Sequence, residues 1–429
     1  MASDSAGDRP AEGTSAQSPL KVAYVLHRFP YLTETFIARE MHWIREHGVD
    51  LTIFSLMPPK HTFRSRQAED LVALGRYSPV FSWRVARSQL HFLTRTPLRY
   101  LRAFGRLIWQ TYREPKVLLL MMSLFPKSVY FAHEMKSLGI DHIHAHFVWI
   151  EGIAAGVAKD LLGVTFSIHP HAFGLFSRNQ RDVRHELENA SHVVTISEYH
   201  RRYIGDLAPQ VTPGGIDVVH CGIEPDRVQP PDRRPTNVPL RILAVGRAVE
   251  KKGHEYLIAA CAELLARGRS LRCDLVVGRG GRREQLEAQI ARLGVSEAIT
   301  LLDTRDEDGI FELLREVDIF ALPCVVAESG DRDGIPVSLM EAMACEVPVV
   351  STPVTGIPEL VVDGKTGLIV PERDVTALAD ALDRLLADEE LRTHLGTQGR
   401  VKVLEEFNVQ VSATRMAEIF RTVSRERVG

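Results

Sequence analysis

The sequence predicts an α/β protein made of two Rossmann-like halves. Three observations carry this expectation. The chain has 429 residues, too many for one ordinary core and suited to two domains of about 200 residues. Short apolar runs alternate with amphipathic segments, the pattern of a parallel sheet with crossover helices. The alternation stops at 225–239, which holds five prolines and almost no apolar residue, and then restarts. The expected organisation is a disordered tail at 1–19, a first domain at 20–224, a linker at 225–239, a second domain at 240–410, and a terminal helix at 411–429 that crosses back to the first domain.

The elements follow in order. Lys21 to Leu26 is a short apolar strand. The next segment, Thr35 to His47, carries Ile37, Met41 and Ile44 on one helical face. Gly48 suits the position just past that helix, and Val49 to Leu56 is the second strand. His142 to Phe147, Val164 to Ile168 and Ser191 to Ile196 read as later strands. The second half starts at Leu240 to Gly246. Its strands continue at Cys273 to Val277, Ile299 to Leu302, Asp318 to Leu322, Val347 to Ser351 and Leu368 to Val370, with a helix at His254 to Ala266. Two such halves place ligands at the C-terminal ends of their strands, facing a shared cleft.

Composition excludes several classes. Hydrophobic residues make up 45% of the chain, which sets aside disorder as the main reading. A net charge of −3 argues against a nucleic-acid-binding protein. The five cysteines show no C-x-x-C spacing, so neither a zinc site nor a disulfide framework is indicated. The first twenty residues lack an apolar signal region, and no run of eighteen apolar residues marks a membrane span. The expected location is the cytoplasm.

The most informative stretch is Asp333-Gly-Ile-Pro-Val-Ser-Leu-Met-Glu341. A buried strand at Asp318 to Pro323 leads through a loop to Gly334, Ile335 and Pro336, and Pro336 suits the first turn of a helix. The free N–H groups of such a turn favour an anion or a hydroxyl oxygen. A carboxylate in the loop and another inside the helix can hold two parts of a long polar ligand, such as a nucleotide sugar.

This segment resembles the E-x7-E motif of the retaining "group 1" (family four) glycosyltransferases, which have the GT-B fold. The wording Gly330-Asp-Arg-Asp-Gly-Ile-Pro336 is closest to the colanic-acid-type exopolysaccharide branch. The resemblance implies transfer of a sugar from a nucleotide sugar, with a UDP-sugar as the first choice of donor and no cofactor. Asp333 stands where the family usually has Glu and would contact the donor sugar. Glu341 would accept hydrogen bonds from the ribose. In Val245 to Gly253, the resemblance gives Arg247 and Lys252 the task of neutralising the diphosphate. It gives His171 a contact with the donor sugar near the reacting carbon. Where the family often has Asp, three residues after that histidine, this chain has Gly174. The loop with Arg28, Thr33 and Glu34 resembles the acceptor-side loop, and His146, at a strand end, either lines the cleft or fills it.

Asp331-Arg-Asp333 matches a metal-binding D-x-D pattern, but it lies in the GT-B loop, so no metal is assigned. Gly278-Arg-Gly-Gly281 before a helix is weak as a dinucleotide loop and marks a close approach of chain to ligand in the cleft, with Gly280 near the phosphates.

Between Lys60 and Lys127, three Lys and ten Arg stand against Glu69, Asp70 and Glu114, a local excess of ten positive charges. From Pro97 onward, Leu98, Leu101, Phe104 and Ile108 form an apolar face, beside a stripe of Arg95, Arg99, Arg102 and Arg106. One reading places this helix on an anionic membrane surface, which suits a polyprenyl-diphosphate-linked glycan acceptor. The other packs its apolar face on the sheet. Two rival functions stay open at this level: a sugar-nucleotide epimerase and a catalytically silent sugar-nucleotide-binding protein.

Overall fold

The computed structural model describes residues 19–31, 34–59, 70–211, 215–232 and 237–426. Most of the expected tail and Thr33 lie outside the described residues. The first sheet contains β1 (Leu20–Arg28), β2 (Val49–Met57), β3 (Gly75–Arg76), β4 (His142–His146), β5 (Thr165–His169), β6 (His192–Thr195) and β7 (Ile216–Val218). The second contains β8 (Leu240–Val245), β9 (Leu271–Val276), β10 (Ile299–Leu302), β11 (Ile319–Ala321), β12 (Val349–Ser351) and β13 (Leu368–Ile369). Their orders are β3-β2-β1-β4-β5-β6-β7 and β10-β9-β8-β11-β12-β13. The neighbouring strands pair in parallel. In each sheet the order reverses beside the first strand, between β1 and β4 and between β8 and β11. A crevice opens at such a switch point, and the two crevices supply the walls of the cleft.

Both faces of the first sheet are covered, which is why its strands read as near-continuous apolar runs. One face packs on the helices Pro115–Leu138 and Ile150–Leu162. The other packs on the helix Thr35–Glu46 and on the last helix, Val409–Arg425. Phe420 of that last helix lies against Tyr24, His142 and His144 at ring separations of 6.1, 5.3 and 5.0 Å. The chain therefore crosses between halves twice. The crossings are bonded side by side: Ile223 N–H donates to the Phe407 carbonyl (2.9 Å) and Val409 N–H to the Ile223 carbonyl (3.0 Å). A Cβ on Gly222 would come within 2.3 Å of the Val409 nitrogen, so only glycine fits this approach.

Two local expectations are corrected. Pro336 caps the helix Val337–Ala344 in extended conformation and is not its first residue. The helix Pro97–Thr111 buries Ala103, Leu107, Gln110 and Thr111, not the Leu98–Leu101–Ile108 face. Leu98 is 81% exposed and Leu101 60%; only Phe104 of the expected face packs partly on the core. No helix among the described residues is long and apolar enough to cross a membrane.

The last helix should be a structural part of the first half. Phe420→Ala removes a fully buried ring and is expected to cost about 3–5 kcal/mol, read from urea unfolding. A loss below about 1 kcal/mol would show that the helix is a dispensable appendage.

Candidate functional site

The loop after β8 carries the basic residues. Gly253 turns at φ +65°, and a Cβ there would lie 1.9 Å from the Pro323 carbonyl oxygen. This close approach seats the turn Glu250–Lys252 beside the loop that follows β11. Lys252 Nζ then lies 2.7 Å from Asp333 Oδ2. Lys251, which sequence reading left without a role, is buried and lies 3.1 Å from Asp331 Oδ1 and 3.4 Å from Asp333 Oδ1. Burial pushes the Asp333 carboxyl up, but Lys252 and Lys251 outweigh it and hold it below the usual range. Burial likewise depresses the Lys252 ammonium, and Asp333 more than restores it. The two aspartates of the D-x-D pattern are thus ion-paired with lysines.

Arg247 is exposed at the mouth of the same loop. Glu34, the residue that caps the helix Thr35–Glu46, comes from the opposite half. Burial raises its carboxyl to about 7, against the pull of Arg247. The Gly278–Gly281 loop packs on this turn, with Arg282 N–H donating to the Ala248 carbonyl at 2.7 Å. Arg28 turns away, donating to the Pro58 carbonyl.

Gly334, Ile335 and Pro336 are buried. Thr355 fixes this loop by donating to the Asp333 and Gly334 carbonyls at 2.5 and 2.6 Å. A Cβ on Gly334 would meet Ile196 Cδ1 at 2.5 Å, so this loop touches the first half directly. Glu341 follows inside the helix Val337–Ala344. Its Oε1 lies 3.0 Å from Arg39 Nη2 of the first half, and Arg39 also pairs with Glu307. Burial raises the Glu341 carboxyl despite Arg39. Arg39 was not found from sequence, because it stands on the polar side of a helix whose apolar face was plain. A further tie is Glu359, which accepts from the Glu198 and Tyr199 N–H groups at 2.9 and 2.8 Å, at the positive end of the helix Glu198–Leu207.

His171 follows β5 and is buried. Its Nε2 lies 2.9 Å from His146 Nδ1, and His146 Nε2 lies 3.2 Å from Glu40 Oε1. Glu40 also accepts from the Tyr24 hydroxyl at 2.9 Å. His146 is fully buried, so it fills the wall and reaches the cleft only through His171. Burial lowers His171 well below the ordinary imidazole range. Gly174, at φ +86°, lies so close to the Val148 carbonyl oxygen that a Cβ would approach to 2.4 Å. The backbone there leaves no room for any side chain, aspartate included.

Two parallel Rossmann-like sheets, a basic turn after β8 and a carboxylate-bearing helix after β11 define the GT-B class of glycosyltransferase. Residues 229–402 match the family described as glycosyl transferases group 1. A GDP-mannose-dependent phosphatidylinositol monomannoside mannosyltransferase of Mycolicibacterium smegmatis is 31% identical over 67% of this chain and 79% of its own. The chain belongs to the glycosyl transferases group 1 family. A putative colanic acid biosynthesis glycosyltransferase of Salmonella typhimurium is 27% identical over 94% of this chain and 100% of its own. An amylovoran biosynthesis glycosyltransferase of Erwinia amylovora is 38% identical, and the match spans about half of each protein, 49% of this chain and 51% of the relative. Among solved structures, the Anabaena protein HepE in complex with UDP-glucose superposes with a TM-score of 0.68 at 14% identity, over 94% of this chain and 100% of that one.

Glu34 provides a test of the cleft's electrostatics. Its folded pKa of about 7 exceeds the unfolded value of about 4.3. Its contribution to stability is therefore fully present below about pH 4.3 and is lost as pH rises through about 7. Glu34→Gln should remove this loss, so the variant gains on the wild type in Tm between pH 5 and 8. A pH-independent difference between the two proteins would contradict the assignment.

Proposed function

We propose that this glycosyltransferase moves a sugar from a nucleoside diphosphate sugar, a UDP-sugar first, to a glycan or polyprenyl-diphosphate-linked acceptor in exopolysaccharide assembly. The observation that carries the reading is the Lys252–Asp333 pair, with Arg247 in the same loop as Lys252, Glu341 about a turn and a half inside the helix Val337–Ala344, and the buried His171 after β5. The colanic acid and amylovoran relatives support the pathway class, and the HepE complex supports the donor class.

In this reading the bond between C1 of the sugar and the diphosphate oxygen breaks, and the acceptor oxygen bonds to C1 on the same face. The acceptor proton passes to the leaving phosphate oxygen. The anomeric configuration is retained without the pair of carboxylates that a double displacement needs. Arg247 can fork across phosphate oxygens and Lys252 acts as a point charge, so fixed cations meet the charge that develops on the leaving group. Asp333 reaches the sugar, Glu341 the ribose, and the Gly334–Pro336 backbone lies between them. Arg247→Ala and Lys252→Ala should each lower UDP release from a UDP-sugar in the presence of acceptor by roughly 10²–10³-fold. Near-normal turnover in both would overturn the donor assignment.

The finer part of the proposal is an anionic membrane surface as the place of work, at the inner face of the cell membrane. The helices Trp83–Arg95 and Pro97–Thr111 expose Trp83, Leu90, Leu98, Leu101 and Trp109 beside the exposed Arg95, Arg99 and Arg102. Arg106 is set apart from this surface by its 3.0 Å pair with Asp160. Exposed apolar groups ringed by cations suit the boundary between headgroups and acyl chains. Each arginine near anionic lipid contributes about 1 kcal/mol. Changing Arg95, Arg99 and Arg102 to Gln should abolish sedimentation with phosphatidylglycerol vesicles and spare transfer to a short water-soluble acceptor. Salt should act like the substitution. A wild type that ignores such vesicles at low ionic strength would remove the membrane from the proposal.

A further inference from the structure

Four side chains behind the cleft wall form a cluster that the transfer reading does not use. β4 and β5 pair so that His144 lies beside Ser167 and His146 beside His169. Strand alternation puts His144 and His146 on one face, and the helix Thr35–Glu46 lowers Glu40 onto that face. One ligating atom from each of Glu40, His144, His146 and His169 lies within 4.8 Å of the others.

We propose that Glu40, His144, His146 and His169 bind one divalent cation of the zinc class. A tetrahedral zinc with ligand distances near 2.0–2.1 Å holds its ligand atoms roughly 3.3 Å apart. His146 Nε2 lies 3.2 Å from Glu40 Oε1, and His169 Nδ1 lies 3.8 Å from Glu40 Oε2. The ring centroids of His146 lie 4.9 Å from those of His144 and 5.0 Å from those of His169. The widest ligand separation must close by about 1.5 Å, a motion within the reach of side-chain rotation.

A second observation points independently to a ligand. His144 Nε2 and both ring nitrogens of His169 are buried without a hydrogen-bond partner among the described residues. The two rings are 0% and 1% exposed. Buried polar groups are nearly always paired, and each exception calls for a partner such as an ion. The remaining nitrogens are held as metal ligands are held. His144 Nδ1 lies 2.7 Å from the Ser167 hydroxyl and His146 Nδ1 2.9 Å from His171 Nε2. Such outer contacts fix the tautomer and aim the other nitrogen. Three imidazoles and a carboxylate suit zinc among the common divalent ions. Four protein ligands leave no open position, so the site is structural. It is separate from Asp331 and Asp333, whose partners are lysines.

The cation takes the place of the 3.2 Å contact between His146 Nε2 and Glu40 Oε1. Bound there, it ties the helix Thr35–Glu46 to the sheet, and through His146 it orients His171.

The test uses the full chain, dialysed against chelator and titrated with Co²⁺. The expected result is one Co²⁺ per chain with the intense visible absorption of a tetrahedral site, displaced by Zn²⁺. The double variant His144→Gln, His169→Gln should lose that absorption. Undiminished uptake in this variant, or no saturable uptake by the wild type, would overturn the site. If the variant does not fold, the wild-type spectrum decides. A weak, octahedral-type spectrum would mean that these nitrogens are met by water and would overturn it as well.

Discussion

Arg39 holds the two halves of the molecule in register. Its guanidinium is buried, comes from the first half, and pairs with Glu307 and Glu341 of the second. Taking a cation and two carboxylates out of water is costly, and the Coulomb attraction offsets that cost only when the geometry is good. Removing any member would leave an uncompensated charge in the interface. The arrangement therefore sets the distance between the helix Thr35–Glu46 and the helix Val337–Ala344, and with it the width of the cleft. Arg227 extends the same network, with Glu307 Oε2 at 2.7 Å and Asp308 Oδ1 at 2.9 Å. Any group that reaches Glu341 must share it with Arg39, so access to this carboxylate and contact between the two halves depend on one side chain.

Much of the fold was legible because parallel strands covered on both faces leave apolar runs that no surface segment imitates. The strands at Ile299–Leu302 and Leu240–Val245 and the helix His254–Ala266 were read within one residue of their observed bounds. β3 and β7 were missed, since two or three half-buried residues carry no period. The candidate residues were legible where they lie on one short stretch of chain, as with Arg247 and Lys252 or Asp333 and Glu341. Arg39 and Glu40 were not, because their partners are remote in sequence. Arg39 meets Glu307 and Glu341 across 268 and 302 residues. Helical periodicity marked both as polar, and only the packing of the second half and the last helix makes them buried. His146 had the opposite history. Of its two readings, lining the cleft or filling it, the sheet settles the second, one layer behind His171 and bonded to it.

The basic segment shows why periodicity fails at a domain surface. The helix Pro97–Thr111 has two apolar strips, and the narrower one, Ala103 and Leu107, faces the core. Small side chains allow the close approach to the helix Ile150–Leu162. The larger strip is left outward.

The shorter carboxylate in the donor loop follows from the charge balance around it. Lys251 and Lys252 converge on Asp333 at 3.4 and 2.7 Å, and the Cys324 thiol lies 3.6 Å from its Oδ2. A glutamate on the same backbone would carry its carboxylate about one bond further, past this pair of ammonium groups. With aspartate at 333 and Asp331 beside it, both lysines meet carboxylates inside the protein. The Lys252 ammonium is thus already engaged at 2.7 Å, and any anion that reaches it must compete with the Asp333 carboxylate for the same charge.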